Sequence, residues 1–239
     1  MNKMSDLSLS NEFKEYAIKH MGISSMQLYY WDRIQDSIYN APMVNSMTPM
    51  VLEEREMRVT QMSVFDRMMM DRILWLAGPV NDRMSTIVQA QLMFLDNLEV
   101  KDIILHVDTP GGSVKSGLSI VDVMNYVSSE IVTINTGMAA SMGSILLGAG
   151  TKGKRYTLPS SRVMLHQVSS GAEGTLADIK ISIAEAEKYN NKLFGMLGEY
   201  TNKTPEQVMS DASRDFWMDS NESVEYGIVD AVITSKKRK

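Results

Sequence analysis

The stretch Ile131-Val132-Thr133-Ile134-Asn135-Thr136-Gly137-Met138-Ala139-Ala140-Ser141-Met142-Gly143-Ser144-Ile145-Leu146-Leu147 decides how this chain is read. Its β-branched opening predicts a buried strand over 131–136, and Ser144–Leu147 predicts the start of a buried helix. Between them, Ser141 stands among very small residues. Such residues let a backbone bend sharply from strand to helix and expose a serine hydroxyl, with the N–H groups of the new helix start facing a developing oxyanion. The usual pattern is Gly-x-Ser-x-Gly; here Ala139 takes the first small position and Gly143 the second. The heptad alone does not separate a nucleophile turn from tight packing at a helix start.

Working outward, strand and helix patterns alternate. Ile73–Ala77 reads as a strand closed by Gly78-Pro79, and 81–96 carries apolar residues at helical spacing. Ile103–Val107 is a second strand, broken by Pro110-Gly111-Gly112, and 114–128 is a helix. Val163–Leu165 is a strand, 176–200 a long amphipathic helix starting near Asp178, and 205–211 a helix opened by Thr204-Pro205. This order implies an α/β fold with a largely parallel sheet. Residues 1–45 differ: Phe13, Tyr16, Ala17 and Met21 predict a helical extension capped by Ser10 and stopped by Gly22, possessing no βα pattern.

The 239 residues suffice for one sizeable domain with an appendage. A net charge of −5 argues against nucleic-acid binding, and the basic run Lys236–Lys239 reads as a solvated tail. The absence of cysteine excludes disulfides, thiolate metal sites and a cysteine nucleophile. There is no secretory pattern and no apolar run of the roughly 18 residues a membrane helix needs, so a cytoplasmic location is expected. The 21 methionines are expected in the core and at interfaces. No metal-ligand cluster, P-loop or dinucleotide fingerprint is present, so no metal or cofactor is expected.

An activated serine needs a base, and three histidines are available. His20 ends the N-terminal helix, where it would cap carbonyls. His106 lies inside a strand, which suits a structural role. His166 closes the strand Val163–Leu165 and opens into a loop, a common catalytic address in α/β folds, although a core histidine is an equal reading. Among 29 acidic residues spacing alone selects no third member. Asp215, in Ser213-Arg214-Asp215-Phe216-Trp217, stands beside aromatics that would bury it, and a plain ion pair with Arg214 is the structural alternative. For an oxyanion hole the candidates are the N–H groups of Met142 and Gly112, the latter otherwise a simple turn glycine.

Together these segments resemble the Clp proteolytic-subunit (ClpP) family. The matching stretches are Asp108-Thr109-Pro110-Gly111-Gly112, Gly137–Gly143, Arg162-Val163-Met164-Leu165-His166-Gln167, Ser213-Arg214-Asp215-Phe216 and Glu225-Tyr226-Gly227-Ile228-Val229-Asp230. They occur in family order, with His166 25 residues after Ser141 and Asp215 49 after His166. The resemblance covers roughly 48–234. It implies a ClpP/crotonase-like spiral of ββα units with a protruding strand-helix handle at about 168–195. It divides the chain into a 1–45 extension, a candidate propeptide removed by self-cleavage, and a 46–239 serine peptidase domain.

The resemblance further implies a Ser141–His166–Asp215 triad and an oxyanion hole from Gly112 and Met142. A strand Ser169–Gly174, with Gly171 and Gly174, would pair with an extended substrate backbone. The implied assembly is two stacked heptameric rings, a homo-oligomeric tetradecamer fed with unfolded proteins by a Clp-type AAA+ unfoldase ring. Residues 47–60 would line the entrance pore. The chain departs from the family at Ser213, where an acid is frequent, at Val168, where proline follows the glutamine, and at Ser170, where glycine is common. Ile104 and His106 replace aromatics of the ATPase docking groove, while Tyr156 keeps one nearby. Two rivals remain at this point: a non-catalytic or mixed-ring subunit, and an acyl-CoA enzyme of the crotonase type.

Overall fold

In the computed structural model the described residues are 50–55, 58–169, 171 and 173–234, with side chains from residue 62 onward. The predicted N-terminal helix with His20, residues 47–49 and 56–57 of the pore segment, Ser170 and the Lys236–Lys239 tail lie outside them. Two compact units divide at Val64 and Phe65. In the first, β1 (Met50–Arg55) and β2 (Arg58–Ser63) form an antiparallel hairpin, with Met50 opposite Ser63, where the reading expected loops. The pairing satisfies backbone groups that open loops would leave to solvent.

The second unit begins within α1 (Val64–Met70) and is built on a mainly parallel sheet. Its central strands run in the order β3 (Ile73–Ala77), β4 (Ile103–Thr109), β5 (Ile131–Ala140), β6 (Arg155–Thr157), β9 (Ala231–Val232). A branch leaves β5 through β7 (Arg162–Leu165), which pairs antiparallel with β8 (Phe216–Met218). Strand alternation selects the buried face: Ile103, Leu105 and Val107 are fully buried, whereas Ile104 and His106 are only half-buried. Burying each such aliphatic side chain stabilises the fold by about 1.5–3 kcal/mol.

Helices α2 (Asp82–Leu98), α3 (Val114–Tyr126) and α4 (Met142–Gly148) supply the other half of the core. Asn81 caps α2 by accepting the Met84 N–H, and Val88, Leu92 and Leu95 form its buried stripe. Ser113 caps α3 in the same way through Ser116, and every residue of α4 is buried. Parallel strands joined by covered crossovers make this an α/β fold of the expected class.

α5 (Leu176–Thr201) starts at Thr175, whose hydroxyl accepts the Asp178 N–H. Its buried residues, Phe194, Leu197, Gly198 and Thr201, all lie in the C-terminal half, so the first half projects as the handle helix. The handle strand is different. None of the described residues between His166 and Thr175 is in a strand, because a strand needs a ladder partner and the single chain supplies none there. α6 (Pro205–Asp211) has Pro205 in its first turn, and α7 (Ser220–Tyr226) opens with a capping box between Asp219 and Glu222. β5 also runs past the predicted 136 to Ala140, since β7 gives its last residues a parallel partner.

One buried ion pair ties the late elements to the sheet. Arg155 on β6 is 4% exposed; its Nη2 donates to Asp230 Oδ1 at 2.6 Å and its Nη1 to the Tyr200 carbonyl at 2.9 Å. Asp230 Oδ2 also accepts the N–H groups of Gly153 and Arg155, both at 2.8 Å. Burial pushes the Asp230 carboxyl up, but the bonds from Arg155 and Gly153 outweigh it and hold the group below the ordinary carboxylate range.

Candidate active site

Ser141 stands between β5 and α4 with φ 55° and ψ −122°. That conformation is unfavourable for a residue with a Cβ and costs about 1–3 kcal/mol. Neighbouring bonds hold it: the Ser141 N–H donates to the Met164 carbonyl at 2.9 Å, and the Ser141 carbonyl accepts the Ser144 N–H at 3.0 Å and its hydroxyl at 2.7 Å. The residue above it must be small. A Cβ on Gly111 (φ 92°) would lie 2.6 Å from Ser141 Cβ and 2.7 Å from the Ala140 carbonyl oxygen. Sequence reading weighed Gly112 and overlooked Gly111, although the adjacent pair Gly111-Gly112 carried the signal.

Strand register brings the candidates together. β5 and β7 run parallel with Ala140 beside Met164, so Ser141 and, one residue further on, His166 leave the two strands at the same end. β7 and β8 run antiparallel with Leu165 opposite Phe216, so the following rung would set His166 opposite Asp215. The outcome is a 2.7 Å contact between His166 Nε2 and Ser141 Oγ. His166 Nδ1 lies 3.8 Å from Asp215 Oδ1, beyond hydrogen-bond length. The Asp215 side chain is 55% exposed, so Phe216 and Trp217 do not bury it as expected. Phe216 packs on Tyr226 instead, with ring centroids 5.4 Å apart.

Electrostatics favour a neutral imidazole. Burial lowers the His166 pKa below its usual value, and the Asp215 charge raises it less. A neutral ring with its proton on Nδ1, toward Asp215, leaves Nε2 to accept the Ser141 proton. Met142 is the first residue of α4, so its N–H has no carbonyl within that helix and is directed out of its N-terminal end. Gly112 has φ 148°, and a Cβ there would meet the Val80 carbonyl oxygen at 2.3 Å, so only glycine fits. Gly171 is exposed with open space where a Cβ would stand. Gly174 (φ 135°) lies against Asp178 in the turn into α5, outside any extended segment. His106 stacks on Trp75 with ring centroids 4.5 Å apart, the structural role expected of it. Among the described residues no group of three or more His, Cys, Asp or Glu is placed to hold a metal.

The Clp protease family model matches residues 54–236. The chain belongs to the Clp protease family. A protein of Porphyromonas gingivalis named ATP-dependent Clp protease proteolytic subunit is 43% identical over 229 residues, covering 95% of this chain and 100% of that protein. One of the same name from Bacteroides fragilis is 42% identical over 227 residues, with coverage of 95% and 100%. Another from Streptococcus uberis is 43% identical over 196 residues, covering 81% of this chain and 100% of its own length. As a Clp protease family member the chain falls among the peptidases, hydrolases of the peptide bond. No helix of the described residues is long and apolar enough to cross a membrane.

Proposed function

We propose that this chain is the proteolytic subunit of an ATP-dependent Clp protease, a serine endopeptidase acting on unfolded proteins. The carrying observation is the 2.7 Å contact of Ser141 Oγ with the half-buried imidazole of His166, at a strained strand-to-helix turn. Ser141 attacks the peptide carbonyl carbon as His166 Nε2 takes its proton. The oxygen of the tetrahedral intermediate draws on the N–H groups of Gly112 and Met142. His166 then returns the proton to the leaving amine, and the peptide C–N bond breaks to leave an acyl-Ser141. Water, deprotonated by His166, adds to the acyl group and releases the acid and the serine. Asp215 orients the imidazole and offsets its charge. At 3.8 Å it must approach by about 1 Å to hydrogen-bond Nδ1.

The same reading gives a homo-oligomer of two stacked heptameric rings in the cytoplasm, served by an AAA+ unfoldase ring. Exposed apolar side chains support association: Phe94, Leu98, Val100 and Tyr126, with Leu176 and Ile181 on the handle helix. Residues 1–45 would be a propeptide removed by the chain itself, leaving 46–239. Labelling with a serine-directed phosphonate, read by intact mass, tests the core of the proposal. An adduct on the wild type and none on Ser141→Ala is expected; equal labelling of both overturns it. The open Asp215 contact favours one second reading, a subunit active only in a mixed ring. In that case labelling is absent until a partner subunit is added.

A further inference from the structure

We infer that Asn190 decides which edge of the segment after His166 is open to a substrate backbone, an assignment that rests on the peptidase reading above. The Val168 N–H donates to Asn190 Oδ1 at 3.0 Å. Val168 lies two residues beyond the base and is half-buried; Asn190 reaches it from the middle of α5, 22 residues along the chain. Among the described residues no backbone carbonyl accepts this N–H, so a side chain ties the chain leaving His166 to the handle helix.

Geometry gives the link a direction. To pair with a substrate the segment must be extended, and in an extended chain successive N–H and C=O groups point to opposite sides. Asn190 occupies the side to which Val168 points. The backbone groups of Ser169, the next residue along, therefore project to the other side, and Ser169 is exposed. Without Asn190, the segment could rotate by one residue and offer the wrong set of groups, with the scissile carbonyl displaced from Ser141. The amide is uncharged, so the pinning holds at any pH at which the fold survives. Asn190 is thus a positioning residue for the substrate and leaves the Ser141–His166 contact untouched.

The test compares wild type, Asn190→Ala and Asn190→Asp, the last keeping an oxygen acceptor. Amide hydrogen exchange is read on peptides covering Val168. Adduct formation is timed with a small phosphonate that has no peptide arms. Turnover is measured on a fluorogenic peptide that spans both sides of the scissile bond. In Asn190→Ala, exchange at Val168 rises and kcat/KM for the peptide falls, each about tenfold, the fall lying mainly in KM. The phosphonate rate stays within about twofold, and Asn190→Asp restores peptide turnover. Equal losses for phosphonate and peptide, unchanged peptide turnover, or an Asn190→Asp as poor as the alanine would each overturn the assignment. Exchange that is alike in wild type and Asn190→Ala overturns the pinning itself, independently of activity. A wild type forming no adduct sinks the peptidase reading instead and takes the substrate out of the assignment.

Discussion

Partial burial favours the neutral form of His166, and on the proposed function that preference has a pH signature. A base works only unprotonated, and burial lowers its pKa below the free imidazole value of about 6.5, with Asp215 opposing. The expected kcat/KM profile is flat above about pH 6.5 and falls only below the lowered pKa. Asp215→Asn removes the opposing charge, so its acid limb moves to lower pH while its rate drops; a limb that moved upward would contradict this assignment. The linkage to folding has the same sign. The native state binds fewer protons than the unfolded chain, so the contribution of His166 is full above pH 6.5 and is lost as pH falls through the folded value. Ser141 and His166 could be nominated from the sequence, since a small-residue turn and a strand-ending histidine are local patterns, and the structure sets the two in contact. The Asp215 distance and exposure were not, because they depend on how β8 pairs with β7, and β8 is too short to show a period. Gly111 escaped for a related reason: its need for glycine comes from Ser141, thirty residues away along the chain.

At the level of elements, the strand ladder and the Arg155–Asp230 pair carry the site. Arg155 joins β6 to the loop before β9 and, through the Tyr200 carbonyl, to the end of α5. Asp230→Ala leaves an arginine that is 4% exposed without its counter-charge. The expected loss is about 3–5 kcal/mol, read as a lower midpoint in urea with an unchanged slope. A loss below about 1 kcal/mol would mean that the pair behaves like a solvated one. The long, strongly periodic elements were read well: β3, β4, α2, α3 and α5 fall within a few residues of their predicted spans. β6, β8 and β9 were missed, as strands of two or three residues owe their existence to partners distant in sequence, and the short helix α7 was missed as well. The handle strand came from the resemblance and not from composition, and the chain alone offers the described residues there no neighbour to pair with.

For the molecule as a whole, the proposed processing and assembly make a joint prediction. Mature wild type should lack about the first 45 residues by intact mass and run as a large homo-oligomer by native mass; Ser141→Ala should retain them. A full-length wild type would remove self-cleavage, and a monomer would remove the ring. The alternation of strand and helix disclosed the fold class over most of the second unit, while the proposed assembly rests on resemblance alone, because interface residues follow no local period. The ion pair described above also orders events in time. Asp230 follows Arg155 by 75 residues, so at about 5–20 residues per second the ribosome makes the cation roughly 4–15 s before its partner. Ser141 and His166 are already synthesised during that interval, but β9 and the clasp that locks the sheet are not. On the proposed function, a nascent chain thus holds Ser141 and His166 before it has the closed fold that aligns them, and synthesis itself delays the onset of proteolysis beside the ribosome.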